Sequence, residues 1–268
     1  MHRVLMPLLF SMLILVGGCA TPGAQLPYPA FVQADELPDV FLAALPGARA
    51  KQFAGNPQSR RSSNRVGLPP NWSGTSGAAP GKSVELYVLR GSLQVGDLLL
   101  RPGGYAYFPP GFHGTNLSTT SGAEFLYFLD DANPAQVIRT PIIYSSEIDD
   151  WQPLHSATSG LSVKEMRRDP GSGARTYLLR TTPAASIDWH NRPGLLEGYL
   201  LSGRYQASEC HLGKTVSGVY TQGGYFHRPA EVVAGGPDEK ALETSVWLLR
   251  TLRNAEAMPV ADCMKPAP

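Results

Sequence analysis

The stretch Leu195-Leu196-Glu197-Gly198-Tyr199-Leu200-Leu201-Ser202-Gly203 decides the fold. One carboxylate leads a run of apolar and aromatic residues, and Ser-Gly ends it, which reads as a short buried strand closed by a turn. Its near copy, Glu85-Leu86-Tyr87-Val88-Leu89-Arg90-Gly91, lies 112 positions upstream. Working outward, Gly103-Gly104-Tyr105 is matched by Gly223-Gly224-Tyr225, and Glu124 through Leu129 by Thr244 through Leu249. Lys51 through Pro57 matches Lys164 through Pro170, and Glu36-Leu37 matches Glu147-Ile148. Matches in one order at a nearly constant offset read as an internal duplication. The expected organisation is a first domain over 35–143, a second over 144–256 and a tail over 257–268. Each domain is then about 110 residues, an ordinary size.

Each copy is a series of strands punctuated by turns. Tyr105-Ala106-Tyr107-Phe108 ends at Pro109-Pro110-Gly111, and Thr176 to Arg180, Tyr225 to Arg228 and Ser245 to Arg250 behave alike. Strands this short, with turn signals every few residues, indicate an all-β sandwich or barrel. Asp35 to Leu45 has room for one short helical turn, limited by Pro38 and Pro46. Among the 268 residues, 43% are hydrophobic and 17% charged, so the chain folds rather than staying disordered. A net charge of +1 carries no electrostatic footprint for nucleic acid. Gly-x-Ser-x-Gly is absent, and Gly171-Ser172-Gly173 lacks the Lys-Ser/Thr pair of a phosphate loop.

The order of strands, Gly-Gly-Tyr and Pro-x-Gly turns resembles the cupin fold, a double-stranded β-helix or jelly roll. The phrases Lys164 to Pro170, Leu195 to Gly203 and Gly224 to Ala230 carry the resemblance. It is closest to an uncharacterised bacterial two-cupin family related to the cupin domain of ChrR-type anti-sigma factors. The resemblance implies two tandem cupin barrels spanning about 35–254. A cupin binds a divalent metal through His-x-His, a Glu five residues on, and a His beyond a Pro-x-Gly turn. Most of those ligands are missing here. In the second copy His190 stands first, Arg192 replaces the second His, Glu197 follows at the right distance, and Ala234 occupies the last position. In the first copy Glu85 remains, Ala78 and Pro80 fill the His-x-His positions, and His113 falls one residue early. A fixed positive charge at Arg192 opposes a cation. Period-two alternation puts Glu197, Tyr199 and Leu201 on one face, and Tyr225 with His227 on another. The Glu197 face is expected to line the barrel interior; for His227 a solvent-facing position is the alternative. The candidate site is therefore His190, Arg192, Glu197, Tyr199, Tyr225 and His227, with Glu85, Tyr87 and His113 in the first copy. His190 and Glu197 are the metal-ligand candidates, with His227 and His211 as substitutes. The preferred reading is a vestigial metal site in which His190 and Glu197 bond to Arg192, with a bound metal as the alternative.

The first residues read as an address. Met1-His2-Arg3 precedes an apolar run from Val4 to Val16, shorter than the ~20 residues a membrane span needs. Leu15-Val16-Gly17-Gly18-Cys19 resembles a bacterial lipobox, implying a signal peptide over 1–18, lipid on Cys19 and a flexible tether over 19–34. Ala20 after the cysteine resembles outer-membrane sorting. In an oxidising compartment Cys210 and Cys263 are candidates for one disulfide, the alternative being two separate thiols.

Together these features lead us to expect a lipid-anchored envelope bicupin, monomeric or dimeric. It would bind a small molecule or an envelope protein and need no cofactor. The alternative is a cupin enzyme of dioxygenase, isomerase or decarboxylase type, using a divalent transition metal in the second barrel.

Overall fold

A computed structural model describes residues 26–77, 80–112, 114–145, 150–154 and 160–263. The signal peptide, Cys19, Ala78 and His113 lie outside the described residues. Within them the regular secondary structure is strand apart from one 3-10 segment, Ala34–Glu36, which lies before Pro38.

The duplication is visible in the topology. The first large sheet runs Ile142–Tyr144, Tyr105–Phe108, Lys82–Gly91, Ala123–Asp131, Arg61–Leu68, Arg49–Asn56. The second runs Val32–Gln33, Gly224–Arg228, Leu196–Ser202, Ser245–Thr251, Arg175–Thr181, Leu161–Arg168, and adds Gln152–Pro153. The corresponding strands follow one order, and adjacent strands are antiparallel. Each large sheet curls over a smaller one to close a barrel. Leu93–Val95, Leu98–Leu100, Asn116–Ser118 and Ser73–Thr75 form the small sheet of the first half. Tyr205–His211, Lys214–Tyr220 and Lys240–Ala241 form that of the second.

One expectation is corrected at the N-terminus. The stretch read as tether through residue 34 is built into the second barrel over its last part. Val32 pairs with Tyr225, the Phe31 ring stacks on Tyr220 at 5.0 Å, and the Tyr28 hydroxyl donates to Glu209 at 3.1 Å. The cause is an open sheet edge: without Val32–Gln33, the Gly224–Arg228 strand would present unpaired backbone groups. Ile142–Tyr144 does the same for Tyr105–Phe108 in the first half.

The two large sheets pack face to face. Val84, Leu86, Val88, Phe108, Phe125 and Tyr127 fill the first barrel. Leu196, Leu200, Phe226, Trp247 and Leu249 belong to the second. A third core lies between them and draws on both halves, with Phe53, Tyr87, Tyr105 and Phe128 meeting Tyr199, Tyr225 and Leu248. Phe53 stacks on Tyr225 at 4.6 Å across this seam. The central strands thus have an apolar core on each face.

Candidate functional site

The third core settles where the predicted site residues sit. In Leu196–Ser202, Leu196 and Leu200 face the second barrel's interior, whereas Glu197, Tyr199 and Leu201 face the seam. In Lys82–Gly91, Val84, Leu86 and Val88 face inward, and Glu85 and Tyr87 face the seam. The expectation that the carboxylate face lines the lumen is therefore corrected. With period-two alternation, an assignment off by one residue exchanges the two faces. The lumen position of the motif is held by Leu196, and by Val84 in the first copy. Gly198 also points inward, where a Cβ would lie 2.4 Å from the Phe226 ring.

At the seam, one guanidinium joins the halves. Arg250 is 1% exposed; its Nε donates to Glu85 at 2.8 Å, and its other nitrogens bond Glu197 and Asp130. The Ser63 and Tyr225 hydroxyls donate to Glu197 at 2.6 and 2.8 Å; the Tyr105 hydroxyl bonds Glu85, and Arg167 approaches Glu85 at 3.5 Å. Burial alone would raise the carboxyls, but Arg250 overrides it and holds Glu85 and Glu197 down at about 2. His227 joins this cluster, with Nδ1 3.1 Å from the Tyr225 hydroxyl and 3.7 Å from Glu197. Glu197, Tyr225 and His227 are thus brought together, but outside the barrel. Tyr87 and Tyr199 line a small cleft at the edge of the seam, of about 250 Å³, beside Arg65 and Asp35. Glu197 pairs with Arg250 rather than with Arg192. His211, at the end of Tyr205–His211, joins neither group.

The second barrel's lumen is a cavity of about 520 Å³, within the range of small-molecule sites. Tyr177, Tyr205, Tyr220, Phe226 and Trp247 make its apolar wall. His190 and Arg192 enter it from the neighbourhood of the His190–Asn191 strand, which pairs with Met258–Pro259 of the C-terminal segment. Burial pushes the His190 imidazole down to about 4, so it is neutral at pH 7. Its Nδ1 lies 3.0 Å from the Asp188 carbonyl, which only accepts; Nδ1 therefore carries the proton and Nε2 is a free acceptor. Arg192 donates from Nη1 to the Ala255 carbonyl at 2.6 Å, and its buried Nε has no partner among the described residues. Arg228 is satisfied by Glu209 at 2.6 and 2.9 Å, and Glu239, raised by burial, accepts from Tyr205 at 2.7 Å. Cys210 and Cys263 form a disulfide that fastens the C-terminal segment beside this cavity.

No protein-family model and no curated protein matches the chain. Solved structures do. A putative dioxygenase of Nostoc punctiforme superposes with a TM-score of 0.65 at 17% identity, covering 88% of each chain. Protein YlbA of E. coli matches at 0.65 and 16%, over 87% of this chain and 95% of its own. Bacillus subtilis oxalate decarboxylase, in a study of its Mn(II) centres, matches at 0.57 and 12%, over 85% and 78%. The chain has the tandem cupin fold. At these identities the likeness shows the fold alone.

A cupin fold raises the question of a metal, and the residues of this bicupin answer it. Ala234 lies directly across from His190, joined by two backbone hydrogen bonds of 2.9 Å. The lumen positions thus hold an imidazole, a guanidinium, a leucine and an alanine. Glu197, one of the two proposed metal ligands, is on the far side of its strand from His190. Among the described residues, no three His, Cys, Asp or Glu side chains are grouped to hold an ion. One neutral donor beside an unneutralised guanidinium does not fit a divalent cation.

Sequence reasoning missed Arg250, Asp130, Arg167 and Ser63. A signal was present: Asp130 and Arg250 stand at corresponding positions of the two copies, one place beyond the matched strands ending at Leu129 and Leu249. Opposite charges at duplicated positions suit a contact across a pseudo-twofold axis.

Proposed function

We propose that this bicupin is a metal-independent, small-molecule-binding protein of the bacterial envelope, held to the outer membrane by lipid on Cys19 and facing the periplasm. One observation carries the binding role: a preformed aromatic cavity occupies the barrel whose metal-ligand positions are filled by Arg192, Leu196 and Ala234. Preformed apolar concavity with a few convergent polar groups is the general form of a ligand site. The seam supports a monomeric working unit, because the duplication already pairs two barrels in one chain. The anchor reading adds a geometric consequence. The chain joins the second barrel by Tyr28, so residues 20–27 reach about 28 Å at full extension. The binding barrel then works close to the membrane surface.

The binding reading is tested by plasma mass spectrometry on protein purified without chelator or histidine tag. We expect well under one transition metal per chain, and no thermal shift with iron, manganese, nickel or zinc. Stoichiometric metal lost in His190→Ala would overturn the metal-independent reading and turn the search to substrates of a metal-dependent enzyme. Anchoring is tested by labelling cells with a palmitate analogue. Label on the wild type and none on Cys19→Ala is expected, with release of the variant from the membrane fraction. Equal labelling of both would remove the anchor from the proposal.

A further inference from the structure

Three arginines converge on the lumen of the second barrel, and only one of them lacks a counter-charge. Arg175 is paired with Glu165 at 2.8 Å, and Arg228 with Glu209 at 2.6 Å. Arg192 has no carboxylate within ion-pair distance among the described residues. Arg228 and Arg175 line the same lumen and repel it. Arg192 is half-buried with its Nε enclosed, and withdrawing a guanidinium from water without an anion is costly unless something compensates it. Among the described residues no carboxylate pairs with it, although Glu239 and Glu256 line the same lumen.

The surroundings restrict what can compensate Arg192. A single unpaired guanidinium balances a single negative charge, which disfavours a dianionic phosphate. The guanidinium fork matches the two oxygens of a carboxylate. The rest of the wall is aromatic, with Tyr177, Phe226 and Trp247 offering ring faces. Beside Arg192, the His190 Nε2 atom accepts a hydrogen bond and cannot repel the ligand, because the ring is neutral. We infer that the lumen of the second barrel binds a small organic monocarboxylate with a ring-sized apolar body, Arg192 clamping the carboxylate. This rests on the binding reading above and names its ligand class.

Two properties of Arg192→Met separate the inference from a merely structural role. Without ligand, the variant should be as stable as the wild type or melt higher, because an uncompensated charge leaves an apolar site. With ligand, it should bind at least tenfold more weakly. The probes are cinnamate, indole-3-acetate and 4-hydroxybenzoate, each beside its carboxamide and its phosphonate analogue, followed by calorimetry and by Trp247 fluorescence. The expected result is binding of one or more carboxylates, loss with the carboxamide, and partial recovery in Arg192→Lys. Binding of carboxamides as tightly as acids, unchanged in Arg192→Met, would overturn the ligand class while leaving a binding barrel. Tighter binding of the phosphonates would overturn it in favour of a dianion. No binding of any probe, together with stoichiometric metal, would overturn the binding reading itself.

Discussion

Arg250→Met is expected to destabilise the protein by about 3–5 kcal/mol, the cost of removing one partner from a buried ion cluster. The number follows from what remains. Glu85 and Glu197, 2% and 4% exposed at their side chains, would keep their charge in an apolar seam with Arg250 gone. Ser63, Tyr105, Tyr225 and Arg167 would still contact them, but Arg167 reaches only Glu85, at 3.5 Å. The Arg250 guanidinium also covers the Phe128 ring at 3.9 Å, so Met fills the space without supplying the charge. Urea unfolding measures the loss. The triple variant Arg250→Met, Glu85→Gln, Glu197→Gln should recover most of it, since charge is then removed on both sides. A loss below about 1 kcal/mol for Arg250→Met would mean that water enters the seam and the cluster does not join the barrels.

The same cluster sets an acid limit. Both carboxyls titrate at about 2 in the folded protein, against 4.5 ordinarily. A depressed carboxyl contributes stability that is full above the unfolded value and is lost as pH falls toward the folded one. The midpoint of unfolding should therefore drop steeply between pH 4.5 and 2. His190 acts earlier. Its folded value near 4 lies below the ordinary 6.5, so the unfolded chain binds more protons between those values. A shallow decline from pH 6.5 should precede the steep one, and His190→Asn should erase only the first.

The fold was legible because a duplicated β pattern survives where individual residues drift. Strand lengths, Gly-Gly-Tyr and Pro-x-Gly turns report backbone geometry, which both copies share. The face of each strand was not legible. Alternation identifies a buried face only when the other is wet and polar, and the central strands here lie between two cores. Glu197 and Tyr199 looked like lumen residues because nothing local marks a seam of that size. His190 and Arg192 were found because their strand has a motif position. The meaning of Arg192 depends on the absence of a nearby carboxylate, which is a property of packing. Whether Cys210 and Cys263 meet was likewise a matter of distance, since 53 residues separate them.

That disulfide carries the second large effect. Closing a loop of 53 residues lowers the entropy of the unfolded chain enough to stabilise the fold by about 4 kcal/mol in the chain-entropy account. With the two barrels unfolding as one unit through their shared core, the loss is expected to lower the melting temperature by roughly 8–16 °C in Cys263→Ser. The position of the bond adds a functional consequence. The segment it holds supplies Ala255, whose carbonyl receives Arg192, and Met258–Pro259, which pairs with His190–Asn191. The Val260 amide donates to the Trp189 carbonyl at 2.9 Å, and Glu256, Ala257 and Pro259 wall the lumen. Reduction therefore frees one wall of the cavity together with the anchor of its guanidinium. Thermal melts with and without dithiothreitol measure the first effect, and ligand titration in both states the second. If the segment stays seated by its backbone bonds alone, binding will be equal in the two states and the disulfide serves stability only. If the wall opens, affinity should fall in reduced protein and in Cys263→Ser alike, while the seam cluster, on the other side of the barrel, keeps its acid profile.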